Sequence, residues 1–310
     1  MRALRLGRLS VLLATLLVVG GAAPAAATFP GKNGLIVWSR SFALQDSEIF
    51  VMNPDGSNRH QLSHNRRNDF FPAWSPDGQQ LAFESSSATD VDIWVMQADA
   101  TDGQNVSNDP SVADRGPAWS PDGRFIAFYK QRFDGTSSIW IMNANGGRER
   151  QLTEGLAADA SPAWAPDGLR IVFSSDRDGN LELYTIKPDG TGLRRLTVTP
   201  GLHEENPNWS PDGERIAFDA CRADSFPCPG SANYEIFVMR SNGGPQTRLT
   251  FVDQIDANPA WSPDGTEIVF RSDRSREGTE IWKMNADGSD QIQLTPGPFQ
   301  GGVDPDWQPL

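Results

Sequence analysis

The sequence predicts an all-β protein, a six-bladed β-propeller with four antiparallel strands in each blade. Three observations support this fold class: a tryptophan at nearly constant spacing, a Pro-Asp-Gly-type turn after it, and short alternating strands between the copies. A fixed period of this length with four short strands per copy is typical of propeller blades. The tryptophans, in steps of 45, 45, 45, 52 and 46 residues, are Trp74, Trp119, Trp164, Trp209, Trp261 and Trp307.

Five of these tryptophans stand in near-copies of the heptapeptide Pro-Ala-Trp-Ser-Pro-Asp-Gly. Ala165 replaces the serine in the third copy, and Asn208 replaces the alanine before the tryptophan in the fourth copy. Aspartate in such a turn bonds its own backbone, and glycine adopts the positive φ that the turn requires. We therefore expect each heptapeptide to end an inner strand, with a structural aspartate. The copies begin at Pro72, Pro117, Pro162, Pro207 and Pro259.

Three further strands follow each turn. The second alternates, as in Leu81-Ala-Phe83, the third resembles Ile93-Trp-Val-Met96, and the short fourth ends in Leu-Thr, Leu-Ser or Val-Ser. Alternation with β-branched and aromatic residues predicts half-buried strands. No sustained helical period occurs after residue 27. We expect the tryptophan, phenylalanine and methionine positions to form the core between neighbouring blades.

The two ends of the chain predict how the ring closes. After residue 27 the sequence begins directly at a second strand, and it ends on an isolated inner-strand motif, Pro305-Asp-Trp307-Gln-Pro309. The simplest assembly uses this C-terminal strand to complete the first blade, which pairs two edges that would otherwise be exposed. Residues 28–310 are thus predicted to form a single propeller domain.

Residues 1–27 have the features of a secretory signal peptide. Three arginines lie in the first eight residues, an apolar stretch runs from Ser10 to Val19, and Ala25-Ala-Ala27 fits a cleavage signal before Thr28. The apolar stretch is too short to span a bilayer. We expect the protein to be exported, periplasmic or extracellular, without a membrane span.

The chain is acidic, with 40 Asp and Glu against 27 Lys and Arg and a formal net charge of −13. Nucleic-acid binding requires basic side chains that neutralise phosphates, so this charge disfavours a nucleic-acid partner. A cation or a basic partner is compatible with it, as is a simple solvated surface.

Both cysteines, Cys221 and Cys228, fall in the copy whose step is 52 residues. In an exported protein this spacing predicts a disulfide that fixes an inserted loop. Two thiolates are too few for a structural zinc site. The insertion is expected to follow a second strand, where Phe226 and Tyr234 would either anchor a partner or decorate the surface.

The face on which the inner strands begin, here called the loop face, carries the candidate binding residues. An acidic residue stands three positions before each of five motif prolines, and these acids are expected to converge on the channel mouth, where their repulsion requires compensation. Calcium is the candidate cation, with Asp114, Asp159, Glu204 and Asp256 as candidate ligands. Water, loop amides, Arg177 and Arg274 are alternatives, and each acid could instead cap its own loop. The predicted site comprises Asp69, Asp114, Asp159, Glu204, Asp256 and Asp304, with Gly302 in the equivalent position of the sixth copy.

The turn motif, the Leu-Thr ending and a Ser-Asp-Arg loop recur in register, the last at Ser175-Asp-Arg177 and Ser272-Asp-Arg274. In these residues, over about 29–310, the chain closely resembles the TolB-like propeller family. The resemblance implies an exported propeller that binds a protein, peptide or cell-wall-associated ligand in the cell envelope. The family's small N-terminal α/β domain has no counterpart before the first predicted strand. We expect a monomer.

Catalytic residues are scarce in this sequence. Of three histidines, His203 beside Glu204 is the candidate for acid–base chemistry on the loop face. A Gly-x-Ser-x-Gly nucleophile motif and a Gly-rich phosphate loop are both missing from the sequence. A non-catalytic binding platform is therefore favoured. The alternative is a metal-dependent lyase or lactonase that acts in the central channel.

Overall fold

The structure is a computed structural model that describes residues 28–42, 45–222, 233–275, 278–295 and 302–310. These residues form six four-stranded antiparallel sheets without any helix, so the predicted fold class of a six-bladed propeller is confirmed. Within the same ranges, no helix could cross a membrane. The predicted signal peptide, residues 1–27, lies outside the described residues and stays a prediction.

Blades 1 to 6 are numbered in the order of the chain. In blades 2 to 6 the first strand in sequence is the inner strand, whereas blade 1 uses the C-terminal strand, described below, as its inner strand. Blade 1 contains β1 (Asn33–Phe42), β2 (Gln45–Met52) and β3 (His60–Gln61). Blade 2 contains β4 (Asn68–Trp74), β5 (Gln80–Ser86), β6 (Val91–Gln97) and β7 (Gln104–Asn105). Blade 3 contains β8 (Ala113–Trp119), β9 (Phe125–Gln131), β10 (Ser137–Asn143) and β11 (Arg150–Gln151).

The second half of the ring repeats this pattern. Blade 4 contains β12 (Asp159–Trp164), β13 (Ile171–Ser175), β14 (Glu182–Ile186) and β15 (Arg194–Arg195). Blade 5 contains β16 (Leu202–Trp209), β17 (Arg215–Arg222), β18 (Glu235–Arg240) and β19 (Thr247–Arg248). Blade 6 contains β20 (Asp256–Trp261), β21 (Glu267–Ser272), β22 (Glu280–Asn285) and β23 (Ile292–Gln293).

The C-terminal strand closes the ring as predicted. β24 (Gly302–Pro309) is the inner strand of blade 1 and pairs antiparallel with β1, where Trp307 lies opposite Ile36. The sheet order is therefore β24-β1-β2-β3, and the first and last described strands lie in the same blade. This pairing removes the two free edges that an open ring would expose.

The motif turn is held by its serine and aspartate. In blade 2, Ser75 Oγ donates to Asp77 Oδ1 at 2.6 Å, and the same oxygen accepts the Gln79 N–H at 3.1 Å. Gly78 has a φ of 66°, in the region that favours glycine. The aspartate of this motif therefore has the structural role that the sequence predicts. This face, on which the inner strands end, is here called the turn face.

The Leu-Thr ending of each blade also has a structural cause. In blade 4 the Thr197 hydroxyl accepts the backbone N–H of Leu183 at 2.9 Å, which fastens the short fourth strand to the third. The same bond forms in all six blades. The hydroxyl residues are Ser63, Ser107, Thr153, Thr197, Thr250 and Thr295.

The motif tryptophans lie in the core between neighbouring blades. Trp119 is 1 % exposed, and its indole Nε1 donates to the carbonyl of Ala73 in the preceding blade at 3.2 Å. Trp209 makes the equivalent bond to Ala163. Each of these side chains thus combines apolar burial with a hydrogen bond that fixes the position of the next inner strand.

Every inner strand contains a bulge at the residue before the motif proline. In blade 2, Phe70 pairs with Glu84 and Ala73 with Ala82, so the inner strand has one extra residue. The residue before the proline has a positive φ, between 50° and 63°, in each blade. These six bulge residues are Phe71, Gly116, Ser161, Asn206, Asn258 and Asp304.

Candidate functional site

The structure places the predicted acids in the interior of the blades, and two of them are paired with the predicted arginines. Arg177 donates through Nη2 to both carboxylate oxygens of Asp159, at 2.7 and 2.8 Å. In blade 6, Arg274 Nη2 lies 2.5 Å from Asp256 Oδ2. Both acids are fully buried, so the arginines compensate charges that would otherwise be costly.

Two other acids have different partners. Asp69 accepts hydrogen bonds from Asn65 Nδ2 at 2.7 Å and from Ser85 Oγ at 2.6 Å. Asp114 lies 3.4 Å from the ammonium of Lys130, which also contacts Glu149 at 2.9 Å. Burial raises the pKa of Asp114 to about 7, and Lys130 opposes this shift.

Glu204 and His203 contact residues at the seam between blades 4 and 5. The Glu204 carboxylate accepts a hydrogen bond from Gln246 Nε2, and burial raises its pKa. His203 is 3 % exposed, and its Nδ1 accepts the Leu181 N–H at 3.2 Å. Burial lowers the pKa of His203. This contact links two blades.

Each of the five acids at the strand starts therefore has polar or charged partners of its own. Their convergence on the channel mouth stays a prediction. Burial is the main cause of the raised pKa of Glu48 in the preceding blade, and the negative charge of Asp69 raises it further. Burial also raises the pKa of Glu235, and the charge of Asp256 adds to that shift. Each acid thus faces a seam between two blades. In the part of the chain that the structure describes, no group of three or more His, Cys, Asp or Glu side chains is arranged to hold a metal ion. Calcium binding stays a prediction.

Asp304, the sixth predicted acid, lies in a different environment. It is a bulge residue of β24, and the charges of Arg271 and Glu84 act on its carboxyl group. Together with the side chains that interact with it directly or through a shared neighbour, it forms what we call the channel cluster. The channel cluster comprises Glu84, Arg115, Tyr129, Glu205, Asp219, Tyr234, Arg271 and Asp304.

Interactions across the ring place this cluster in the central channel. Tyr129 belongs to blade 3, and burial is the main cause of its raised pKa. The charges of Glu84 in blade 2, Asp304 in blade 1 and Glu205 in blade 5 add to that shift, while Arg115 opposes it. Side chains from blades 1, 3 and 5 can approach one another only at the centre of a six-bladed ring.

Hydrogen bonds order one side of the cluster. Asp219 Oδ2 accepts Asn206 Nδ2 at 2.8 Å and the Asn258 N–H at 2.7 Å. Tyr234 Oη lies 3.4 Å from Glu205 Oε1. The bulge residues thus bring their amides to the carboxylate of a second strand, which fixes the acid at the channel wall.

An ion pair orders the opposite side. Arg115 Nη1 of blade 3 lies 2.5 Å from Glu84 Oε1 of blade 2. Glu84 is 1 % exposed, so this contact is a buried salt bridge between two blades. It fixes the position of the arginine on the channel wall.

The cluster has more acidic than basic groups, and its carboxyl groups hold protons unusually tightly. Burial raises the pKa of Glu205 to about 8, with the Asp219 charge adding to it. Burial also raises the pKa of Glu84 and of Asp304 to about 7, and that of Asp219 to about 6. Four carboxyl groups face two arginines, so the fully ionised cluster has excess negative charge.

Several polar atoms of the cluster, and of the adjacent Asn258, lack a hydrogen-bond partner among the described residues. The side chain of Asn258 is the clearest case, because it is 5 % exposed and neither Oδ1 nor Nδ2 is bonded. Three further buried atoms also lack a hydrogen-bond partner among the described residues, namely Glu84 Oε2, Asp219 Oδ1 and Arg271 Nε. Buried polar atoms are rarely left without partners, so these atoms indicate a place where water or a ligand is bound.

Sequence reasoning found two members of this cluster, Asp304 and Tyr234. Three of the missed residues share a position, directly after the aromatic residue of the second strand, where charge interrupts an otherwise apolar run. Those in blades 2, 5 and 6 are Glu84 after Phe83, Asp219 after Phe218 and Arg271 after Phe270. A charged residue at an inward position of a buried strand was the available signal.

The predicted disulfide involves one described residue and one that lies outside the described residues. Cys221 lies in β17 and is 1 % exposed. Cys228 and Phe226 lie outside the described residues, so their predicted roles stay predictions. Tyr234 is described, and it belongs to the channel cluster.

The fold and this channel define a six-bladed propeller with an acidic, buried cluster at its centre. The family model of the TolB β-propeller domain matches residues 36–230. The chain therefore belongs to the TolB β-propeller family.

Comparison with known proteins shows similar relatives. The chain is 33 % identical over 76 residues to an uncharacterized protein of Agrobacterium fabrum, a match that covers 24 % of each chain. It is 38 % identical over 47 residues to the Tol-Pal system protein TolB of Anaeromyxobacter dehalogenans, which covers 15 % of this chain and 11 % of that protein. The matched segments thus span a quarter or less of these relatives' lengths.

The solved structure of TolB from Acinetobacter baumannii has a similar fold. It superposes with a TM-score of 0.78 at 23 % identity, covering 91 % of this chain and 68 % of that one. At this identity the likeness shows the fold alone. At a coarse level, family membership supports a propeller that serves binding.

Proposed function

We propose that this protein is an exported, non-catalytic binding platform whose loop face receives a protein or peptide partner in the cell envelope. The partner places a basic side chain into the central channel, where it meets the channel cluster. The observation that carries this proposal is the buried cluster of four carboxyl groups against two arginines, with the unpartnered amide of Asn258 among them.

The chemistry of the cluster favours a basic group as its ligand. A lysine ammonium or an arginine guanidinium supplies positive charge and several N–H donors at once. Such donors match Glu84 Oε2, Asp219 Oδ1 and Asn258 Oδ1, which have no partner among the described residues. Charge-assisted hydrogen bonds of this kind are stronger than neutral ones. Binding would therefore lower the raised pKa values of the carboxyl groups.

The loop face also offers apolar contacts to a partner. Because the strands are antiparallel, the loops after second strands and those before inner strands share this face. Among the described residues of these loops, four large apolar side chains are exposed. They are Phe133, Leu156, Val198 and Phe251, with 95, 88, 72 and 72 % exposure. Large apolar side chains around a polar centre resemble the composition of many protein interfaces.

Binding of a basic peptide is the test. Tri-lysine is added to the protein, with tri-glutamate as the charge-reversed control, and thermal unfolding is followed. A ligand that binds only the folded state stabilises it by about 2.7 kcal/mol at a hundredfold excess over its Kd. We expect stabilisation by tri-lysine alone, and its loss in the Glu205→Gln/Asp304→Asn double variant.

A matched control distinguishes the channel from general surface charge. Glu154 is an exposed carboxylate on the loop face, and Glu154→Gln should leave the response to tri-lysine unchanged. Equal responses to both peptides, or an unchanged response in the double variant, would contradict the proposal. Turnover of a uronic-acid polysaccharide or a lactone in the presence of calcium or manganese would favour the alternative, a metal-dependent lyase or lactonase.

A further inference from the structure

The first described residues of the chain lie inside the ring. Thr28 and Phe29 are 3 % and 4 % exposed, although they precede the first strand, β1. Thr28 Oγ1 donates a hydrogen bond to Asn208 Oδ1 at 2.7 Å. Asn208 lies 180 positions later in the sequence, in blade 5. Since β1 belongs to blade 1 and is separated from blade 5 by blade 6, this contact reaches across the centre of the ring.

Backbone hydrogen bonds show from which face the segment enters. Gly31 N–H donates to the carbonyl of Pro263, in the motif turn of blade 6, at 3.2 Å. Lys32 N–H donates to the carbonyl of Leu310 at 2.9 Å, and Leu310 N–H donates back to Lys32 at 3.0 Å. Motif turns lie on the turn face, so the chain passes from β1 over the turn face and into the channel.

The side chain of Phe29 lies in an apolar part of the channel wall. It belongs to the same buried cluster as Ala73 and Ala118, the motif alanines of the inner strands in blades 2 and 3. With the bonds of Thr28 to blade 5 and of Gly31 to blade 6, the segment interacts with four blades. Such an arrangement is possible only on the axis of the ring.

The position that binds Thr28 departs from the repeat. Blades 2, 3, 4 and 6 have alanine before the motif tryptophan, whereas blade 5 has Asn208. The Asn208 Oδ1 accepts both the Thr28 hydroxyl and the Trp261 N–H, at 2.7 and 3.0 Å. The small alanines leave space at the axis, and the single asparagine supplies the polar contact.

We propose that the turn-face end of the channel is a binding site for the chain's own residues 28–32, which close that end. The channel then opens only on the loop face, and a ligand of the channel cluster enters and leaves by that face. The inference is independent of which ligand the channel takes.

Hydrogen exchange of the unmodified full-length protein is the first test. We expect the backbone amides of Phe29, Gly31 and Lys32 to exchange at least about tenfold more slowly than in the free peptide Thr-Phe-Pro-Gly-Lys, since residues bound in a folded structure exchange only through opening. Exchange at the rate of the free peptide would overturn the proposal, and this measurement needs no variant.

A substitution tests whether the segment holds the channel wall. Phe29→Ser removes the apolar contact, and Phe133→Ser is the matched control, because Phe133 is 95 % exposed. We expect faster exchange at the inner strands β4 and β8, which contain Ala73 and Ala118, in Phe29→Ser alone. Addition of the free peptide should restore slow exchange, which a general loss of stability would not allow. Unchanged exchange in Phe29→Ser would also overturn the proposal.

Discussion

The carboxylate of Asp306 accepts a hydrogen bond from the backbone N–H of Trp74 at 2.8 Å, across 232 positions of the sequence. Asp306 lies in the strand that closes the ring, and Trp74 ends the inner strand of blade 2. Asn208 makes the equivalent bond to the Trp261 N–H in the next blade at 3.0 Å. Both residues replace the motif alanine, and both join the inner strands of adjacent blades through a side-chain oxygen.

We expect Asp306→Ala to destabilise the protein and Asp306→Asn to be tolerated. Alanine leaves the buried Trp74 N–H without its acceptor, which costs about 1–3 kcal/mol in free energy of unfolding. Asparagine keeps an acceptor oxygen at the same place, as Asn208 does in blade 5. Urea unfolding at neutral pH measures both changes. Equal losses of free energy of unfolding in the two variants would show that the Trp74–Asp306 hydrogen bond does not account for the effect.

Stability should decrease with rising pH because of the channel cluster. Burial raises the pKa of Glu205 from 4.5 to about 8, so the folded protein binds this proton more tightly than the unfolded chain. The corresponding stabilisation is complete below the unfolded pKa and is lost as pH rises through about 8. We expect Glu205→Gln to increase the free energy of unfolding at pH 8 by about 1–3 kcal/mol relative to the parent protein.

The pH experiment has an internal control. Glu154 is exposed, and Glu154→Gln should leave the pH dependence of the parent protein unchanged. Denaturant unfolding at a series of pH values gives both curves. A parent protein whose stability rises between pH 5 and pH 8 would be inconsistent with protonated carboxyl groups in the channel.

Loss of Arg177 should cost more than loss of its whole ion pair. Arg177→Met leaves the buried Asp159 carboxylate without a counter-charge, and breaking such a pair costs about 3–5 kcal/mol. Addition of Asp159→Asn to this variant should recover part of the loss. The exposed Arg66 provides the control Arg66→Gln. If Arg177 served a partner instead of Asp159, Arg177→Met would leave the unfolding midpoint almost unchanged.

Gly34 should be sensitive to alanine because it lies against the closing strand. A Cβ at Gly34 would come within 2.7 Å of Gln308 Oε1 and 2.8 Å of the Gln308 carbonyl. Overpacking of this kind costs about 1–3 kcal/mol. Gly103→Ala is the matched control, since its Cβ would meet nothing within 4 Å. Thermal unfolding of the two variants compares them, and equal melting temperatures would argue against tight closure.

The blades could be predicted from the sequence because their determinants are local. The motif turn, the alternating second strand and the terminal hydroxyl each act within one repeat, as the Thr197–Leu183 bond illustrates over 14 positions. Closure by the C-terminal strand was also predictable, since Trp307 completes the pattern that the first blade lacks.

The site was harder to predict because its contacts are not local. The sequence located the acids at the starts of the inner strands and two of their partners, Arg177 and Arg274. It did not locate the other partners, which differ from blade to blade. Asp114 is compensated by Lys130, whereas Glu204 is bonded by Gln246, 42 positions away. The channel cluster depends on side chains from different blades that meet at the centre of the ring. The periodicity of the sequence describes one blade and does not show which side chains of different blades come together.

Closure by β24 has a consequence for the order of folding. The strand that completes blade 1 is synthesised after the other 23 described strands, so the inner neighbour of β1 does not exist until all of these have been made. Contacts between residues this far apart in sequence are slow to form, because a large loop must close first. Until then the nascent protein exposes the edge of a half-built sheet, which is prone to mispairing. A chain interrupted just before residue 302 would contain five complete blades and still lack a closed ring.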